Sequence, residues 1–123
     1  MTSELNIMDL VRDWLSAWNQ KDIERLLKHY HDDVQFVSPT VTTRWDIASG
    51  KLEGKAALRS HFLKGFEERN HVEFQFLNVV YGVSGLILIY RRGAIGMGAD
   101  LITLDERGKA LRVEVFHSKE KRE

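Results

Sequence analysis

The chain has 123 residues, 43% of them hydrophobic and 29% charged, with 18 basic and 18 acidic side chains and no cysteine. That length and apolar content fit one domain and exclude disorder. Zero formal charge argues against a strong electrostatic grip on nucleic acid or an anionic membrane, and without cysteine there are no disulfides, thiolate metal sites or thiol nucleophiles. Residues 1–10 lack a basic-then-apolar leader, and the longest apolar run, residues 85–90, is too short to span a bilayer. A cytoplasmic protein with no nucleic-acid or membrane partner is expected.

The front half reads as helices. Ile7, Val11, Trp14 and Trp18 recur at three- and four-residue spacing, which predicts an amphipathic helix over about residues 4–18. Asn19-Gln20-Lys21 breaks it, and Asp22 is an N-cap for a second helix buried through Ile23, Leu26, Leu27 and Tyr30. Residues 34–37 alternate as a strand that stops at Ser38-Pro39, and residues 40–53 read as an irregular strand or loop. A third helix is expected over about residues 55–69, with Leu58, Phe62 and Phe66 four apart.

The back half reads as sheet. Strands are expected at residues 72–76, 86–92, 101–104 and 111–116, the last two joined by the tight loop Asp105-Glu106-Arg107-Gly108. Pairing Leu104 with Lys109 would set Asp100 opposite Val113. Three helices before a run of strands is an α+β order. One domain over residues 1–123 is expected, with a core over about 5–118 and a short charged tail.

The chain resembles the SnoaL-like branch of the nuclear transport factor 2-like superfamily, relatives of the ketosteroid isomerases and polyketide cyclases. The resemblance runs from about Val11 to His117. It is carried by Trp14-Leu15-Ser16-Ala17-Trp18-Asn19-Gln20-Lys21-Asp22, Tyr30-His31-Asp32-Asp33-Val34, Ser38-Pro39, Gly54-Lys55-Ala56-Ala57-Leu58 and the final hairpin. It implies a cone-shaped barrel in which three N-terminal helices pack on a strongly bent, mixed but mainly antiparallel sheet. It also implies a homodimer through the outer sheet face, which would carry Leu101, Thr103, Arg112, Glu114 and Phe116.

The ketosteroid isomerases use a tyrosine on the first helix, an aspartate base before the proline after the first strand, and a protonated aspartate on the strand before the last hairpin. Trp14, Ser38 and Asp100 stand at those places here. A serine hydroxyl is a very weak base and an indole exchanges no protons, so steroid isomerisation by that mechanism is not expected. By the resemblance, Asp100 faces the cone together with Ile102 and Leu104, where apolar walls would raise its pKa and make it an acid, a donor or a poised base. His117 on the same face can supply the missing base or sit as a solvated strand end, and Tyr30 is the third candidate catalytic group.

The candidate ligand-binding residues are Trp14, Trp18, Ser38, Trp45, Phe62, Ile102, Val113 and Val115. His29 to Asp33 carry no complete metal-ligand set, and no cofactor is called for. The expected function is a small-molecule pocket with three readings left open. One is a cofactor-free isomerase, cyclase or hydratase that moves protons on a small apolar carbonyl compound. Another is a non-catalytic binding module for the same kind of ligand. The last is a dimeric scaffold with a vestigial pocket.

Overall fold

In the computed structural model, which describes residues 4–118, the helix α1 (Glu4–Asn19) turns Ile7, Val11, Trp14 and Leu15 inward, all at most 8% exposed. The expected charged tail at residues 119–123 lies outside the described residues. α1 stops at Asn19, whose side-chain amide donates to the Phe74 carbonyl (2.9 Å) and accepts from the Phe74 amide (2.8 Å), fixing the helix end to the sheet.

Asp22 caps α2 (Ile23–Leu27) as expected, accepting from the Arg25 amide. The helix is shorter than its apolar stripe suggested. The His29 carbonyl accepts from the Ala110 amide at 2.7 Å, and Tyr30 pairs with Ala110, so sheet pairing takes the chain before another turn can form. Tyr30 therefore opens a strand, β1 (Tyr30–Val37), rather than closing a helix.

The segment expected to be an irregular strand or loop opens instead with a helix, α3 (Pro39–Trp45), and continues as a loop and the short strand β2 (Lys51–Glu53). Ser38 is its N-cap and Pro39 occupies the first turn, where a missing N–H costs nothing. Asp46 ends it in the left-handed conformation (φ 57°). The next helix, α4 (Lys55–Glu68), buries Leu58, His61, Phe62, Gly65 and Phe66 at three- and four-residue spacing. There are thus four α-helices among the described residues, not three.

The strands β3 (Phe74–Tyr81), β4 (Gly85–Arg92), β5 (Met97–Leu104) and β6 (Ala110–His117) complete one six-stranded sheet of order β2-β1-β6-β5-β4-β3. β1 and β6 run parallel, and the other neighbours are antiparallel. β3 starts later and runs five residues further than expected. Register irregularities in β1, in β3 and at Thr103/Leu104 mark where strands bend.

The last hairpin lies two residues from its expected register: Leu104 pairs with Ala110 rather than Lys109, and the irregularity at Thr103/Leu104 adds the second residue. Asp100 pairs with Val115, not Val113, and Gly98 pairs with His117. The inner face of the sheet carries Leu86, Leu88, Tyr90, Ile102, Val113 and Val115 into the core against α1 and α4. No helix among the described residues is long and apolar enough to cross a membrane.

Candidate functional site

The helices and the inner sheet face enclose a cavity of about 300 Å³. Trp14, Trp18, Tyr30, Ser38, Phe62, Asp100, Val115 and His117, all expected at the site, line it. The other three expected lining residues do not. Ile102 and Val113 pair with each other two residue pairs beyond Asp100 and Val115 along β5 and β6, and both are buried in the core. Trp45, the last residue of α3, is 41% exposed, and its indole N–H donates to His61 Nδ1 at 3.0 Å.

The apolar wall is a stack of rings. Phe74 lies parallel to Trp18 (4.7 Å between centroids, 10°), and Trp18 meets Phe62 and Phe66 edge-on. Phe74 also packs on Tyr90 at 4.7 Å. Such offset and edge contacts fix ring positions better than area burial alone.

Asp100 is 3% exposed and stands in the cavity wall. The Tyr90 hydroxyl donates to its Oδ1 at 2.7 Å. Tyr90 reaches it because the cross-strand partner of that ring is Gly98, where any Cβ would come within 2.6 Å of the phenol ring. Burial pushes the Asp100 carboxyl up to about 7, against the opposing pull of the Tyr90 hydrogen bond and the nearby Arg92 guanidinium. Tyr30 lies in the same electrostatic neighbourhood. Its hydroxyl accepts from the Trp14 indole N–H at 2.7 Å, and burial raises its pKa far beyond neutrality.

His117 is a diagonal neighbour of Asp100 across β5 and β6, about 7–8 Å away for such a pair. Burial, with Arg92 and Arg69 nearby, lowers it to about 4, so it is neutral at pH 7. The two groups are thus closer than the expected register allowed.

At the other end, Ser38 Oγ and Thr40 Oγ1 stand 2.8 Å apart, and Thr40 Oγ1 is 3.1 Å from His61 Nε2. His61 is 3% exposed, and burial followed by the Arg44 charge lowers it to about 4. Arg44 is held by Glu68 at 2.8 Å.

Sequence reasoning missed Tyr90, Thr40 and His61. Alternation along Leu86, Leu88 and Tyr90 was the available signal for the first, and the 58/61/62/65/66 spacing was the signal for His61. His29, just past the end of α2, meets Asp13 at 2.6 Å, and among the described residues no group of three or more His, Cys, Asp or Glu is placed to hold a metal.

No curated protein matches the chain significantly. Among solved structures, a SnoaL-like protein of unknown function from Burkholderia thailandensis E264 superposes with a TM-score of 0.90 at 19% identity, covering 95% of this chain and 98% of that one. A candidate isomerase of the SnoaL-like family from Agrobacterium tumefaciens C58 gives 0.72 at 16% identity, covering 90% and 96%. TerC, co-crystallised with polyporic acid, gives 0.74 at 19% identity, covering 90% of each chain. These identities show a shared fold alone. The SnoaL-like domain profile matches residues 11–117, which is most of the sequence, and the chain therefore belongs to the SnoaL-like domain family.

Proposed function

We propose that this protein binds a small, flat, apolar carbonyl compound in its cavity and moves a proton on it through Asp100, without a cofactor. The observation that carries this is a carboxyl group buried in an aromatic-walled cavity with its pKa near 7. A group so poised is close to half ionised at neutral pH, where general acid–base catalysis is most effective. Tyr90 occupies Oδ1 and leaves Oδ2 without a hydrogen bond among the described residues. The ionised form takes a proton from carbon next to the carbonyl, and the acid so formed returns it to the same or a neighbouring carbon. His117, neutral at pH 7, is a second acceptor on the same face, and the Tyr30 hydroxyl is a donor lining the same cavity. Asp100 sits beside other titratable groups in an open cavity, which favours this reading over a vestigial pocket. The names of the Agrobacterium protein and of TerC, an isomerase candidate and a protein co-crystallised with polyporic acid, support this reading.

The outer sheet face exposes Ile87, Met97, Leu101 and Phe116. On a chain with no net charge to keep copies apart, this apolar face is proposed to be covered by a second copy.

Hydrogen–deuterium exchange of 2-tetralone, a flat bicyclic ketone, tests the proton transfer. Wild type is expected to accelerate loss of the protons next to the carbonyl, and Asp100→Asn to slow it by roughly 10²–10⁴-fold. Binding without acceleration would leave a non-catalytic ligand carrier instead.

A further inference from the structure

We propose that Ser38 and Thr40 form one hydrogen-bond-donor subsite for a carbonyl oxygen of the ligand, with its direction fixed by His61 and Trp45. The proposal rests on the small-molecule reading of the cavity and adds which end of it takes the oxygen.

The direction follows from what each partner can do. The Trp45 indole N–H lies 3.0 Å from His61 Nδ1 and can only donate, so Nδ1 is an acceptor. A neutral imidazole carries one N–H, which must then be on Nε2. Thr40 Oγ1, 3.1 Å away, accepts it. Arg44 Nη1 also lies near both ring nitrogens, at 3.0 and 3.3 Å, but a guanidinium has no lone pair to offer.

The two hydroxyls therefore hold two hydrogens between them, and their mutual 2.8 Å bond uses one. Ser38 Oγ also accepts from the Thr40 amide at 3.2 Å. In either orientation of the pair one O–H remains, with no acceptor among the described residues, on a residue that lines the cavity.

Two consequences separate this end from a catalytic base. His61 cannot take a proton from either hydroxyl, because the nitrogen facing them already carries one. The constellation is therefore not a serine–histidine nucleophile. The position after the first strand also has the opposite polarity to the carboxylate that the resembled isomerases carry there: it gives a hydrogen instead of taking one.

The extended backbone of Ser38 carries the β1 register one residue past Val37 and Glu114, level with Val115, whose other neighbour is Asp100. Two strand spacings put the Ser38 and Asp100 backbones about 10 Å apart with Val115 as the floor between them. That span accommodates a carbonyl oxygen at Ser38/Thr40 and an adjacent C–H bond at Asp100. The ligand class is a flat cyclic ketone lying across Val115.

Two measurements on the full chain test this. Nitrogen-15 NMR of His61 is expected to show the neutral Nε2–H tautomer from pH 6 to 8. An Nδ1–H or charged imidazole in wild type would overturn the assignment, and this readout needs no ligand. Binding of 2-tetralone is then compared with 2-methylenetetralin, the same shape without the oxygen. Wild type is expected to prefer the ketone at least tenfold. Ser38→Ala and Thr40→Val should each keep part of the preference, since one hydroxyl survives, and the double variant should lose it while still binding the hydrocarbon. Equal binding of both probes by wild type would overturn the subsite and leave the cavity reading standing, whereas binding of neither would remove the cavity reading itself.

Discussion

Asp100 gains its character from three neighbours of different kinds. Apolar walls raise its pKa, while Tyr90 and Arg92 hold it back. Removing the hydrogen bond with Tyr90→Phe is therefore expected to push the carboxyl higher still, read as an upward move of its NMR titration midpoint. Burial of this acid also ties stability to pH. The unfolded chain loses the Asp100 proton near pH 4, the folded chain near 7. Across that window the folded state holds a proton the unfolded state has released, so this group's contribution to stability falls as pH rises and is constant above 7. His61 and His117, both lowered to about 4, act in the other sense and withdraw stability as pH falls from 6.5 to 4. Urea unfolding at a series of pH values should accordingly show Asp100→Asn gaining on wild type between pH 4 and 7, by an amount on the order of a few kcal/mol. An unchanging difference would place the carboxyl in water.

Among the elements, the long helices and the alternating strands could be read from the sequence because one physical signal dominates each: a 3.6-residue apolar stripe in α1 and α4, and a two-residue alternation in the last strands. α3 could not, because Thr40-Val41-Thr42-Thr43 carries three threonines and a valine, whose stiff side chains favour strands. The capping pair Ser38-Pro39 outweighed that preference. The end of α2 was equally hidden, since its partners, the Ala110 amide and the Lys109 ammonium, are distant in sequence. The inward face of the final hairpin was legible, but its register was not. The irregularity at Thr103/Leu104 has no strong local mark, and two residues of slip keep every side chain on the same face. Hence Asp100 and His117 were found while Ile102 and Val113 were placed at the cavity rather than in the core. α4 holds His61 and Phe62 at the cavity through the fully buried Leu58. Leu58→Ala is expected to cost about 2–5 kcal/mol in chemical unfolding.

At the scale of the whole molecule, the sheet has two apolar faces with different uses. The inner one closes on α1 and α4 except where the rings leave a cavity. The outer one is left open and is proposed to meet a second copy. Leu101→Glu with Phe116→Glu is expected to convert a dimer to a monomer in sedimentation without altering 2-tetralone binding, because neither residue lines the cavity. A wild-type protein that sediments as a monomer at every concentration would remove that interface. What makes the inner face more than a core is a single acid held among aromatic rings. Carbon-13 NMR of the Asp100 side-chain carboxyl, followed from pH 3 to 9, measures it directly. A midpoint near 7 is expected, and a midpoint near 4, the value of a solvated carboxylate, would contradict it.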